Sequence, residues 1–143
     1  MTKNHNLQRF IDAQRGDYDI ALAEIKNGKK RSHWMWYIFP QIQGLGFSET
    51  SKYYAIQNKD EAIAYLKHPI LGYRLIQICY VLLQLADKNA TNIFGYPDNL
   101  KLKSSMTLFA SLPNADPIFQ AVLNKFFNGA KDEQTVQILN RQE

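Results

Sequence analysis

Helix boundaries are marked along most of this chain, and they restrict its fold more than any other feature of the sequence. Asn58 followed three residues later by Glu61 is typical of a capping box, in which two side chains satisfy amide groups at a helix start. Asp116 before Pro117 marks another start, because the carboxylate caps free amides and proline fits the first helical position. Asp132 is expected to cap a last helix. These signals predict a helical second half.

Apolar residues at helical spacing extend this pattern to other parts of the chain. They predict a helix over residues 17–28 with Asp17 as its N-cap and a glycine at its end. A nearly continuous apolar run predicts a buried central helix from residue 69 to about residue 87. A further helix is expected over residues 97–112, opened by proline and aspartate.

The run 33–39 is ambiguous, because a short apolar segment that ends at a proline fits either a strand or a helix. No second strand is evident for it to pair with, so we favour a helix. The expected fold is all-α, with residues 1–143 forming a compact single domain of about six to eight helices.

Composition and charge exclude several classes of protein. Hydrophobic residues make up 45% of the chain and aromatic residues 13%, which argues against wholesale disorder. The single cysteine, Cys79, lies in an apolar run, and the first residues lack the apolar core of a secretory signal. We therefore expect a cytoplasmic protein. No stretch is long and apolar enough to predict a membrane helix. The net charge of +4 mildly favours anionic partners.

The basic-aromatic segment, residues 29–37, is the strongest candidate for a ligand site. Lys30 and Arg31 are suited to hold a phosphate group, and the indoles of Trp34 and Trp36 are suited to stack on a planar ring. The structural alternative is that the tryptophans form part of the core and the cations lie on a solvated turn, and the core is favoured for at least one of the two tryptophans.

Two residues are candidates for proton transfer. His33 carries an imidazole that is suited to act as an acid or a base, and Glu61 carries a carboxylate, but each has a structural alternative as an interior histidine or a capping residue. Metal binding is not expected, because the three histidines are scattered and the cysteine is alone. The sequence indicates no particular cofactor.

The turn 44–47 is a second candidate site, since glycines before a helix are able to present backbone amides to an anion. Ser48, which follows this turn, would either cap the helix or bond a ligand oxygen, and capping is favoured. Lys101 is a candidate that would reach the same pocket from another helix, with a solvated helix face as its alternative.

Arg74 and His68 complete the set of candidate ligand-binding residues. Arg74 lies alone in the predicted central helix, and a buried guanidinium needs a partner such as Glu61, Asp98 or a ligand anion. A structural ion pair or a side chain that reaches solvent is the alternative. His68 would border a pocket or bond a backbone group at a helix end.

Several motifs together resemble the family called domain of unknown function 1810. The resemblance covers about residues 7–139, and the motifs that carry it are KRSHWMWYIFPQ (30–41), GLGFS (44–48), YLKHP (65–69) and SSMTLF (104–109). It implies a compact all-helical domain and no established activity. Some members carry the label calpastatin, which names a disordered inhibitor that this aromatic-rich sequence does not resemble.

The leading functional hypothesis is a helical domain that binds a phosphate-bearing small molecule or nucleotide derivative, with hydrolase or transferase activity left open. The alternative is a protein-interaction module that uses exposed tryptophans beside cations. Nucleic-acid binding ranks last, because the positive charge is modest and spread along the chain. The sequence predicts neither an oligomeric state nor whether the candidate residues converge on one cleft.

Overall fold

The computed structural model describes residues 5–142. Within this part of the chain there are ten helices. Their bounds are α1 Gln8–Gln14, α2 Asp17–Lys26, α3 Met35–Ile38, α4 Glu49–Tyr54, α5 Lys59–Lys67, α6 Leu71–Gln84, α7 Ala90–Phe94, α8 Asp98–Ala110, α9 Pro117–Phe127 and α10 Glu133–Arg141. The all-helical class is confirmed, and the predicted count of six to eight is too low.

Helices α6 and α8 lie at the centre of the fold. Helix α8 packs against α5, α7, α9 and α10, and α6 packs against α2, α5 and α9. The run 104–109 of α8 is buried throughout, and the buried apolar residues of the molecule form one cluster. Burial of this apolar surface is the main source of stability, since no disulfide is present.

The capping signals correctly mark the starts of three helices. The side chain of Asn58 accepts a hydrogen bond from the Glu61 amide at 2.9 Å, and Asp116 caps α9 in the same manner. Asp132 accepts from the Thr135 amide at 3.0 Å. These contacts satisfy amides that have no partner within the helix.

Other predicted boundaries are corrected by the structure. Asp17 is the first helical residue of α2 rather than its cap, and Gly16 takes the cap position without a side-chain bond. The central helix α6 is shorter than predicted and is not buried on every side. Tyr73 and Tyr80 on its outer face are 65% and 58% exposed. Tyrosine tolerates this position because its ring ends in a polar hydroxyl.

Two helices were not predicted, α1 and α7. Arg9 and Gln14 of α1 are buried. Polar residues therefore stand on the buried face of this helix, and the helical spacing of apolar residues that would predict it is interrupted. Helix α7 has five residues, which is too short for a period to show. Asn89 caps it through the amides of Thr91 and Asn92.

The segments around α3 position the candidate site. The ambiguous run 33–39 contains the four-residue helix α3, as favoured. Beyond it, Ile42 and Ile56 form an isolated parallel bridge, with amide-to-carbonyl distances of 2.8 Å on both sides. This bridge ties the loop after α3 to the segment after α4. Among the described residues, no helix is long and apolar enough to cross a membrane.

Candidate functional site

Trp34 belongs to the core of the molecule. Its side chain is 1% exposed, and the indole nitrogen donates a hydrogen bond to Glu24 at 2.9 Å. The core position that was favoured for at least one of the two tryptophans is found here, and the ring packs beside Phe39 and Phe94. Trp34 offers no surface for stacking on a ligand.

Glu24 holds the turn of the basic-aromatic segment in place. Its carboxylate accepts hydrogen bonds from the amides of Arg31 and Ser32 at 2.8 and 3.0 Å, from the Ser32 hydroxyl and from Trp34. Burial acts to raise the pKa of Glu24, but these hydrogen bonds outweigh it and lower the pKa to about 2. The carboxylate is thus charged at neutral pH and fixes the path of the backbone.

The two lysines beside the tryptophans share one carboxylate. The ammonium groups of Lys30 and Lys101 lie 2.9 and 3.0 Å from the carboxylate of Asp98. Lys30 also lies 4.9 Å from the ring centre of Trp34, and Lys101 lies 4.2 Å from that of Trp36. Burial acts to raise the pKa of Asp98, and the two lysines lower it below its ordinary value. The charge of the Asp98 carboxylate therefore offsets one of the two ammonium charges.

Trp36 lines a cavity of about 490 Å³, which we call the Trp36 cavity. The indole is half-buried, and Lys101 covers part of it. Because Lys101 does not line the cavity, the cavity contacts another part of the ring. The lining residues, from α3, the following loop, α4 and the segment after it, are Trp36, Gln41, Ile42, Gln43, Gly44, Leu45, Gly46, Phe47, Ser51, Lys52, Tyr54, Ala55 and Gln57.

The wall of the Trp36 cavity depends on a close approach at Gly46. A methyl group placed on Gly46 would lie 2.6 Å from the Ser51 hydroxyl and 3.5 Å from the edge of the Trp36 ring. Only glycine lets the loop lie this near to both side chains. The turn 44–47 thus forms one wall of the cavity and Trp36 another. Gly46 was recognised in the sequence as part of a candidate anion-binding turn.

A second cavity of about 440 Å³ lies beside α1, and we call it the Arg9 cavity. Arg9 and Glu61 line it and form an ion pair at 3.0 Å, with about 5% and 4% of their side chains exposed. Lys52 and Gln57 line both this cavity and the Trp36 cavity, so the two adjoin.

Arg9 joins three segments of the chain. Besides Glu61, its guanidinium donates to the carbonyl oxygens of Tyr53 and Ala55 at 2.8 and 2.9 Å, and to that of Asn6. Glu61 also accepts from the Gln57 amide at 3.0 Å. Glu61 is therefore engaged in holding the fold together.

Ser48, His68 and Arg74 bond to the protein itself. The Ser48 hydroxyl accepts from the Ser51 amide at 3.1 Å and caps α4, as favoured. The ring nitrogen Nδ1 of His68 accepts from the amides of Ile70 and Leu71 near the start of α6, at 3.1 and 3.3 Å.

The partners of Arg74 differ from those that the sequence suggested. Its guanidinium donates to the Gln14 side chain at 3.2 Å and lies 5.1 Å from the ring centre of Tyr18. Glu61 is occupied by Arg9, and Asp98 by two lysines. The buried amide oxygen of Gln14 takes the place of a carboxylate, and nothing in the sequence of α1 predicted this.

The candidate residues thus fall into separate groups. Lys30, Trp34, Trp36 and Lys101 come together around Asp98, and of these Trp36 lines the cavity. Arg31 and His33 are exposed on the preceding turn and line neither cavity described above.

The residues of the Trp36 cavity that sequence reasoning missed include Gln41, Lys52 and Tyr54. Gln41 stands at the end of the family-like block after Pro40, which was the one signal for it. Lys52 and Tyr54 occupy a six-residue helix, which is too short for an apolar pattern to show.

Among the described residues, no group of three metal-ligating side chains is present. Burial raises the pKa of the Cys79 thiol.

Comparisons with known proteins agree with the fold and assign no activity. The chain is similar to the conserved hypothetical protein Rv1873 from Mycobacterium tuberculosis, whose crystal structure matches with a TM-score of 0.92 and 44% sequence identity over 94% of this chain and 96% of that one. A comparison with curated proteins gives no match. The model of the family described as protein of unknown function, DUF1810, matches residues 4–139, and the chain therefore belongs to this family.

Proposed function

We propose that this protein binds a phosphate-bearing small molecule with a planar ring, such as a nucleotide derivative, in the Trp36 cavity. The observation that carries the proposal is the half-buried Trp36 indole in the wall of a cavity of about 490 Å³. This volume falls within the range of about 300–1,000 Å³ that is usual for small-molecule sites.

Three aromatic side chains support the choice of a planar ligand. Trp36, Phe47 and Tyr54 all line the cavity, and Phe47 is 88% exposed at its rim. Base-aromatic stacking contributes about 1–3 kcal/mol per base, so a ring that enters here gains stacking as well as apolar burial. An exposed phenylalanine is unfavourable in water unless something covers it.

Lys52 is the residue to which we assign the anionic group. It lines the cavity, its side chain is exposed, and it forms no ion pair with any residue in the range 5–142. Lys30 and Lys101 are less suited to this role because Asp98 already binds both. A single ammonium group attracts a phosphate as a point charge and does not fix its direction. The stacked ring of the ligand therefore determines how the ligand is oriented in the cavity.

The proposal is limited to binding. His33 does not line the cavity, and the Glu61 carboxylate is held by Arg9, so neither candidate for proton transfer is placed to act on a ligand there. Arg31, which the sequence favoured for holding the anion, lies outside this cavity.

A thermal-shift measurement tests the proposal. Nucleoside monophosphates should raise the melting temperature progressively with the logarithm of their concentration, by an amount that corresponds to about 2.7 kcal/mol at a hundredfold excess over Kd. Trp36→Leu should remove the shift, whereas Tyr80→Leu, which changes an exposed aromatic residue on α6, should preserve it. Inorganic phosphate alone should have little effect. The absence of any shift with the wild-type protein would contradict the proposal.

A second candidate function, a protein-interaction module, is favoured by one observation. Phe47 is 88% exposed, and such a side chain beside a partly apolar cavity resembles the centre of a binding surface. Trp34, in contrast, contributes nothing to this surface because it is buried. If small molecules leave the melting temperature unchanged, the surface around Phe47 is the part of the molecule to examine for a protein partner.

A further inference from the structure

The side chain of Gln41 is buried in the wall of the Trp36 cavity and lacks a hydrogen-bond partner. The residue is 8% exposed, and its Nε2 group bonds to no other group in the described part of the chain. An amide donor that is buried without a partner costs about 1–3 kcal/mol. Such groups are rare in folded proteins, and each one calls for an explanation.

The backbone around Gln41 is fixed, so the residue as a whole stays in the wall of the Trp36 cavity. Its carbonyl oxygen accepts from the Ile56 amide at 2.8 Å, and the Gln43 amide donates to the Ile56 carbonyl at the same distance. Pro40 on the other side is buried. The terminal torsion of a glutamine side chain is soft, and the amide is therefore able to turn toward a ligand while the backbone stays in place.

We propose that Gln41 donates a hydrogen bond to a carbonyl oxygen on the ring of the ligand, so that the Trp36 cavity selects heterocycles that carry a carbonyl rather than an amino group at the ring position facing Gln41. This inference rests on the proposed function. A carbonyl accepts the hydrogen bond that Nε2 offers, whereas an exocyclic amino group is itself a donor, bonds at most to the Oε1 atom of Gln41 and leaves Nε2 unpaired.

The energetic difference between the two ligand classes should be large enough to measure. A ring carbonyl satisfies a donor that is otherwise unpaired, and an amino group leaves it unpaired. Sites that offer a hydrogen bond reject ligands that cannot make it, because buried polar groups then stay without a partner. We expect a preference of about tenfold, the ratio that corresponds to about 1.4 kcal/mol.

Isothermal titration calorimetry with two matched pairs of nucleotides tests the inference. Uridine and cytidine monophosphate share one ring carbonyl and differ at a second site, where the first has a carbonyl beside an N–H and the second an amino group beside an acceptor nitrogen. Inosine and adenosine monophosphate differ in the same way, and the adenine ring has no carbonyl at all. In each pair the carbonyl form should bind about ten times more tightly. Since Lys52 contacts the phosphate common to all four, it does not contribute to the difference.

Substitution of Gln41 separates its role from that of the rest of the cavity. Gln41→Leu should reduce the preference to about twofold or less while the melting temperature stays the same or rises, because an unpaired donor is removed. Gln84→Leu, at the exposed end of α6, is the control and should keep the preference.

The outcomes distinguish this inference from the proposed function. Equal binding of all four nucleotides, or tighter binding of the amino forms, would overturn the role of Gln41 and leave the proposed function intact. A preference that survives in Gln41→Leu would also overturn it. No binding by any of the four, together with an unchanged melting temperature, would overturn both.

Discussion

The carboxylate of Glu24 accepts four hydrogen bonds from the basic-aromatic segment. The Trp34 indole, the Ser32 hydroxyl and two backbone amides all donate to its carboxylate. A carboxylate with four donors is stabilised in its charged form, and for this reason its pKa is low. At the residue scale, these four hydrogen bonds explain why the turn of the basic-aromatic segment takes one conformation.

The variant Glu24→Gln tests this explanation. It keeps one acceptor oxygen but loses the charge, and we expect the free energy of unfolding to fall by about 1–2 kcal/mol at pH 7. Because the pKa lies near 2 rather than at its ordinary 4.5, the carboxylate stabilises the fold above pH 4.5, and this contribution is lost as the pH falls through about 2.

Urea denaturation at several pH values measures the effect. The difference in unfolding free energy between wild type and Glu24→Gln should shrink as the pH falls from about 5 toward 2. Asp19→Asn, an exposed residue of the same helix, should show a much smaller difference. A difference that does not change with pH would contradict the account of Glu24.

The pair Arg9–Glu61 gives a second prediction at the residue scale. Arg9→Leu leaves the buried Glu61 carboxylate without its cation and should lower the free energy of unfolding by about 3–5 kcal/mol. Arg15→Ala is a matched control, because Arg15 pairs with Asp12 at 3.4 Å on the exposed surface. Its effect should stay below about 1 kcal/mol. Chemical denaturation of both variants decides whether Arg9 holds the N-terminal segment in place.

At the scale of helices, the junction of α5 and α6 depends on Gly72. A methyl group placed there would lie 1.9 Å from the Leu66 carbonyl oxygen, which no real contact allows. The helices pack on each other at this point, with His68 and Pro69 between them. Backbone approaches this close require glycine.

Gly72→Ala should therefore destabilise the protein although alanine favours helices. The gain in helix propensity is about 1 kcal/mol, and the clash should exceed it and leave a net loss of about 2–3 kcal/mol. The midpoint of urea denaturation measures this loss. Tyr73→Ala, at the exposed neighbouring position, should change it far less. An unchanged or higher midpoint for Gly72→Ala would show that the junction relaxes freely.

The helices themselves were predicted best where a side chain caps the start. Asn58, Asp116 and Asp132 each form the bond that their position indicated, because a cap is a local interaction within four residues. Helix α1 escaped prediction for the opposite reason. Its buried residues include Arg9 and Gln14, and apart from the contact of Arg9 with Asn6 their partners lie more than twenty positions away in the chain.

At the scale of the whole molecule, the candidate site was predicted in part. The sequence drew attention to Trp36 and to the turn 44–47, which form two walls of one cavity. It favoured a core position for at least one tryptophan but did not indicate that this is Trp34 rather than the partly exposed Trp36, since both orientations fit a short apolar run. Gln41 is notable because it lacks a partner, and that property arises from packing alone.

The central claim is that the Trp36 ring contacts a ligand, and tryptophan fluorescence tests it most directly. The chain has two tryptophans, so in the variant Trp34→Phe the emission comes from Trp36 alone. Titration with the four nucleoside monophosphates should change this emission saturably for at least one of them, with a Kd that matches calorimetry. If none of the four changes the emission of the folded variant, Trp36 does not form part of a nucleotide site and the central claim is wrong.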